Sequence, residues 1–134
     1  LFVLYQLAQS DVFRRTKKAT AIQGGSTLEA AHFAAADFGP ELAAALAAHD
    51  WRAATRIYFL QLLQVLNSRS VIQYGPDVLN SEYRRQWRTH PLASQLNRLT
   101  SVYEYSWFGH FIPAPEQFVQ WQQSFVNTTQ KLQA

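Results

Sequence analysis

The sequence predicts an all-α fold: a single bundle of about five helices around one central buried helix, preceded by a juxtamembrane segment. Three observations carry this. The stretch from Asp50 to Arg69, DWRAATRIYFLQLLQVLNSR, contains no Gly or Pro and is long enough for about 28 Å of helix. Its apolar residues, from Trp51 through Ile57, Phe59 and Leu62 to Leu66, cover most of the helix circumference, the pattern of a helix buried on several sides. Farther on, Leu92, Leu96, Leu99, Tyr103 and Trp107 recur at i, i+4, i+7, i+11 and i+15, which defines a clean amphipathic helix.

Composition sets the bounds. A chain of 134 residues builds one domain with a core and not two. Its 48% hydrophobic and 16% charged residues place it among globular rather than disordered chains. There is no Cys, so disulfide frameworks and thiolate metal sites are excluded. There is no Met even at position 1, so the chain is expected to be a fragment or a processed product.

Residues 1–18 read as the end of a transmembrane span and its basic juxtamembrane segment. LFVLYQLA is apolar but far shorter than the roughly 20 residues a span needs. Arg14, Arg15, Lys17 and Lys18 follow, as they do at the cytoplasmic end of a membrane helix. The alternative is an amphipathic helix packed on the domain, with a solvated basic tail. Residues 19–36 read as a linker broken at Gly24-Gly25-Ser26, then an Ala-rich lead-in.

Residues 37–134 read as the helical domain. Pro40 suits the first position of a short helix that ends near His49. Asp50 is an N-cap for the long helix, so the two form an αα-hairpin with almost no loop. Val71 to Tyr74 is a short β-like run, and Gly75-Pro76-Asp77 a turn. Asn80 is an N-cap for SEYRRQWR, whose Tyr83 and Trp87 face inward and which His90-Pro91 stops. Gly109 is a C′ residue for the helix ending at Trp107. Pro115-Glu116 opens the last helix, with Phe118, Trp121, Phe125 and Leu132 inward.

Chemistry-bearing patterns are sparse. His32, His49, His90 and His110 show no i, i+3 or i+4 pair, so no metal and no cofactor is expected. No Ser has the flanking glycines of a nucleophile elbow, and there is no phosphate-binding glycine loop. Arg84, Arg85, Arg88 and Arg98 are too few for a nucleic-acid footprint and read as a solvated face with local ion pairs, Glu82 among them.

Three spaced blocks resemble a known family. They are Asp50-Trp51-Arg52-Ala53-Ala54-Thr55-Arg56-Ile57-Tyr58, then Pro76-Asp77 with Asn80 and Tyr83, then Tyr103-Glu104-Tyr105-Ser106-Trp107-Phe108-Gly109. Together they resemble the bacterial domain of unknown function numbered four-one-two-nine, a C-terminal domain of membrane proteins, some of which carry a transglutaminase-like domain across the membrane. Val78-Leu79 stands where that family usually has Lys-Thr, and Phe108 where it has Tyr. The apolar pair is expected to pack. The resemblance implies a helical domain after a membrane span and brings no reaction with it.

The resulting expectation is a non-enzymatic interaction or regulatory module on the cytoplasmic side of a bacterial inner membrane, with a protein partner or another part of its own chain as ligand. Motif position and polar chemistry select Arg56, Asn80, Tyr83, Glu104 and Trp107 as candidate binding residues. Structural roles for them are favoured: Arg56 pairing with Glu104, Asn80 capping, Tyr83 and Trp107 packing. The alternatives are a hydrolase or transferase using Glu82 or Glu104 as base, and a helical-repeat module that binds peptides.

Overall fold

A computed structural model describes residues 31–134 of the chain. After a helical stretch at 31–35 come α1 (Gly39–Ala47), α2 (Trp51–Ser68), α3 (Asn80–Gln86), α4 (Ala93–Trp107) and α5 (Pro115–Gln133). The described residues contain no strand. The fold is therefore the all-α bundle that the helical periodicities predict. Residues 1–18, and 19–30 of the lead-in, lie outside the described residues. Among the described residues no helix is long and apolar enough to cross a membrane.

Helix α2 holds the centre. It packs on α1, α4 and α5, which is why its apolar residues are spread around the circumference. Ala54, Leu62 and Leu66 have no solvent exposure, and Phe59 and Leu63 almost none. The helix starts where Asp50 caps it: Oδ1 accepts the Ala53 N–H at 3.1 Å. Helix α5 buries Phe118, Trp121, Phe125 and Leu132, the face its spacing predicts. Residues 31–38 join the core through Phe33, which stacks on Tyr74 with centroids 3.7 Å apart. The Gln64 amide donates to the Phe33 and Ala36 carbonyls at 2.9 and 2.8 Å, tying this stretch to α2.

The helix ends depart from expectation in instructive ways. The α1–α2 corner closes as a Schellman motif: the Asp50 N–H donates to the Ala45 carbonyl and the His49 N–H to Leu46. Its left-handed residue is His49, at φ 56°. Ser70, at φ 63°, plays the same part after α2, with Val71 N–H on the Leu66 carbonyl. After α4 the left-handed residue is His110, not Gly109. Gly109 is required for a different reason: a Cβ there would lie 2.4 Å from the Tyr105 carbonyl oxygen.

The β-like run at Val71 to Tyr74 forms no strand. It is an irregular link, bent at Val71 and Ile72, that buries Ile72. The following turn forms as expected, with the Val78 N–H on the Gly75 carbonyl at 3.2 Å. Helix α3 stops at Gln86, short of Arg88, and Trp87 becomes its C-cap. The Trp87 indole N–H then donates to Asn97 Oδ1 at 2.8 Å, and the Leu92 N–H to His90 Nδ1 at 3.0 Å. These two bonds hold the α3–α4 turn. Val78 packs against the core but Leu79 is 62% exposed, so only half of the apolar pair packs.

Candidate functional site

The candidate residues fall along the seam where α4 meets α2 and α3. Trp107, in the last turn of α4, is half-buried beneath two cations one α2 turn apart. The guanidinium carbons of Arg52 and Arg56 lie 4.6 and 5.1 Å from the Trp107 ring centroid. Both contacts fall in the range of cation–π attraction.

The two arginines differ in how they are satisfied. Arg52 Nε donates to the Ser106 carbonyl at 2.9 Å, and its Nη2 to the Trp107 carbonyl at 2.7 Å. It thus satisfies two unpaired carbonyls at the end of α4 and places its charge at the negative end of the helix dipole. Arg56 Nε is buried with no hydrogen-bond partner, and among the described residues Arg56 forms no ion pair. The expected Arg56–Glu104 pair is therefore absent. The reason is competition: the Glu104 carboxylate is taken by α3, with Oε1 3.2 Å from Arg84 Nη2 and Oε2 accepting from Asn80 Nδ2 at 3.1 Å.

Asn80 consequently does not cap α3. It sits inside the helix, the N-cap is Leu79 without a side-chain bond, and the Asn80 amide is turned to Glu104. Tyr83 packs as expected, 2% exposed, and its hydroxyl donates to the Gly75 carbonyl at 3.2 Å. Burial pushes its phenol up to about 12. Burial also raises the Tyr74 phenol, and the positive charge of Arg56 nearby offsets part of that rise. Tyr74 and Tyr83 have near-parallel rings 6.4 Å apart. The seam thus runs from Trp107 through Arg56 to Tyr74 and Tyr83, with the Asn80–Glu104–Arg84 cluster beside it.

Both acids are engaged by hydrogen-bond donors. Glu82 is held down to about 2 by hydrogen bonds from Arg85 and Gln86. Glu104 has a hydrogen-bond donor on each oxygen. The basic residues in and just after α3 are engaged locally: Arg85 pairs with Glu82, and Arg88 donates to the Arg85 carbonyl. An open cleft of about 590 Å³ lies between the 70–73 link and α3, with Arg85 and Arg88 on its wall, and contains none of the candidate residues.

Sequence reasoning missed Arg52 as the α2–α4 tie. One signal was available. A cation in the first turn of a helix opposes the dipole, so Arg52 has an electrostatic reason to reach out to another element. Which of two arginines four apart would find the carbonyls depends on the α2–α4 crossing, which no local pattern encodes. No family model, no curated protein and no solved structure matches the chain.

Proposed function

We propose that this domain is a non-enzymatic interaction module, and that Arg56, held against Trp107, is the contact for an acidic group on a protein partner. The observation that carries this is the Arg56 guanidinium, which lies against the Trp107 ring with its Nε unsatisfied and forms no ion pair among the described residues. A carboxylate would give it the planar, charge-assisted partner that Glu104 does not supply. Arg and Trp are also the side chains that dominate binding energy at protein interfaces. The engaged carboxylates of Glu82 and Glu104 favour this over acid–base catalysis. The helical-repeat alternative needs stacked copies of the α1–α2 hairpin, and α4 and α5 pack on α2 instead, with α3 on α4.

The setting we propose is the cytoplasmic side of a bacterial inner membrane. Two readings of the sequence support it: the apolar run and basic cluster of residues 1–18, and the three blocks that resemble the membrane-protein family numbered four-one-two-nine.

The test is crosslinking and pull-down from membranes with the full-length protein, comparing the parent with Arg56→Met. Loss of a captured partner with the fold intact is the expected result. Equal capture by Arg56→Met contradicts the assignment. For topology, a reporter active only in the cytoplasm and fused after Ala134 should be active; a silent fusion contradicts the placement.

A further inference from the structure

Helix α5 carries a second surface, on the side of the bundle facing away from α2. Of its 19 residues, only Glu116 and Lys131 are charged, one in the first turn and one in the last. Everything exposed between them is Gln, Asn or Val, with Val119 at 45% and Val126 at 37% exposure. A solvated helix face ordinarily carries charges along its length, as α3 does with Glu82, Arg84 and Arg85. Depletion of charge with exposed apolar residues is instead the composition of an interface core.

The positions of the charges identify the partner. At about 100° per residue, Glu116 and Lys131 lie within about 60° of each other around α5. Val119 and Val126 lie within about 20° of each other, about 60–80° from Glu116 and about 120–140° from Lys131, on the opposite edge of the exposed face. Both charges are exposed, and neither forms an ion pair among the described residues. We infer that α5 pairs antiparallel with α5 of a second copy of this chain. A two-fold axis near Gln123 sets Glu116 of each copy against Lys131 of the other and brings the four valines together along one edge. The face is self-complementary in that sense only; a parallel pair would set Glu116 on Glu116 and Lys131 on Lys131. Isologous pairing of this kind is the commonest oligomer symmetry. One helix on one helix falls below about 1,200 Å² of total buried surface, so the dimer is a weak one.

The charges give a decisive test by analytical ultracentrifugation of the 134-residue chain at low salt, with circular dichroism as the check on folding. The parent should dimerise with rising concentration. Val126→Asp should weaken that association by more than about tenfold, since it sets unpaired charges among the four valines. Glu116→Lys and Lys131→Glu should each weaken it by about threefold to tenfold. The Glu116→Lys/Lys131→Glu double variant should dimerise like the parent, and an equimolar mixture of the two single variants should associate more strongly than either alone. A parent that is monomeric throughout overturns the inference. So does a dimer indifferent to Val126→Asp, or single variants whose mixture gains nothing.

Discussion

The two long sides of α2 solve the same packing problem with different chemistry. Toward α5 the contact is an aromatic ladder. Trp51 stacks on Phe118 at 4.6 Å between centroids, and Tyr58 lies 6.4 Å from Phe118 and 6.0 Å from Phe125. The Tyr58 hydroxyl accepts from the Gln122 amide at 2.7 Å. Toward α4 the contact has an aromatic floor, Phe59 stacked on Tyr103 at 4.4 Å, but its open end is built from two cations over one indole. Two buried side-chain atoms without a hydrogen-bond partner, Arg56 Nε and Ser106 Oγ, both lie on this second side. Buried polar groups are normally satisfied, because leaving one unmade costs about 1–3 kcal/mol. The α5 side therefore carries stability, while the α4 side carries unspent polar capacity alongside its packing.

The largest expected effect is on the α5 side. Phe125→Ala deletes a ring that is 1% exposed and should cost about 3–5 kcal/mol in urea unfolding. A loss below about 1 kcal/mol would erase the distinction between the two sides. Next comes Arg52→Met, which removes two charge-assisted bonds to the end of α4 and should cost about 1–2 kcal/mol.

Alkaline titration probes the link that adjoins the α4 side. Below pH 10 the Tyr83 phenol is protonated whether the chain is folded or not. Between pH 10 and about 12 the unfolded chain ionises there while the folded one resists, so stability falls as pH rises through that window. Tyr74 adds to the same trend, because its phenol is also raised. Tyr83→Phe should flatten the pH dependence of the urea midpoint over this range; an unchanged slope would place the linkage elsewhere. The smallest effect is Ser106→Ala, which deletes the unsatisfied hydroxyl while keeping the carbonyl that Arg52 uses. It should leave stability unchanged or raise it by about 0.5 kcal/mol, a gain readable from thermal midpoints.

These contrasts track what was legible in the sequence. Burial was: the all-round apolar pattern of Asp50–Arg69 and the spacing of Phe118, Trp121, Phe125 and Leu132 are one-dimensional signals of which faces are covered. Asp50 as a cap was legible for the same reason, since its bond reaches only three residues ahead. Partner choice on the α4 side was not. Asn80 has the chemistry of a cap, yet Glu104, 24 positions away in sequence, claims its amide. Arg56 was the expected tie and Arg52 is the actual one, a difference of a single helical turn decided by where the end of α4 meets α2. Left-handed His49, Ser70 and His110 were equally hidden, because tertiary closure of the corners sets residues there that glycine would have marked.

The most direct test of the division between the two sides of α2 is the unfolding free energy of Arg56→Met in urea, measured beside Arg52→Met. If Arg56 is held in place without being needed for the fold, its replacement should lie within about 0.5 kcal/mol of the parent, because Met keeps a contact with the Trp107 ring and removes a buried unpaired Nε. A loss as large as that of Arg52→Met would make Arg56 a structural tie and contradict its assignment as a partner contact.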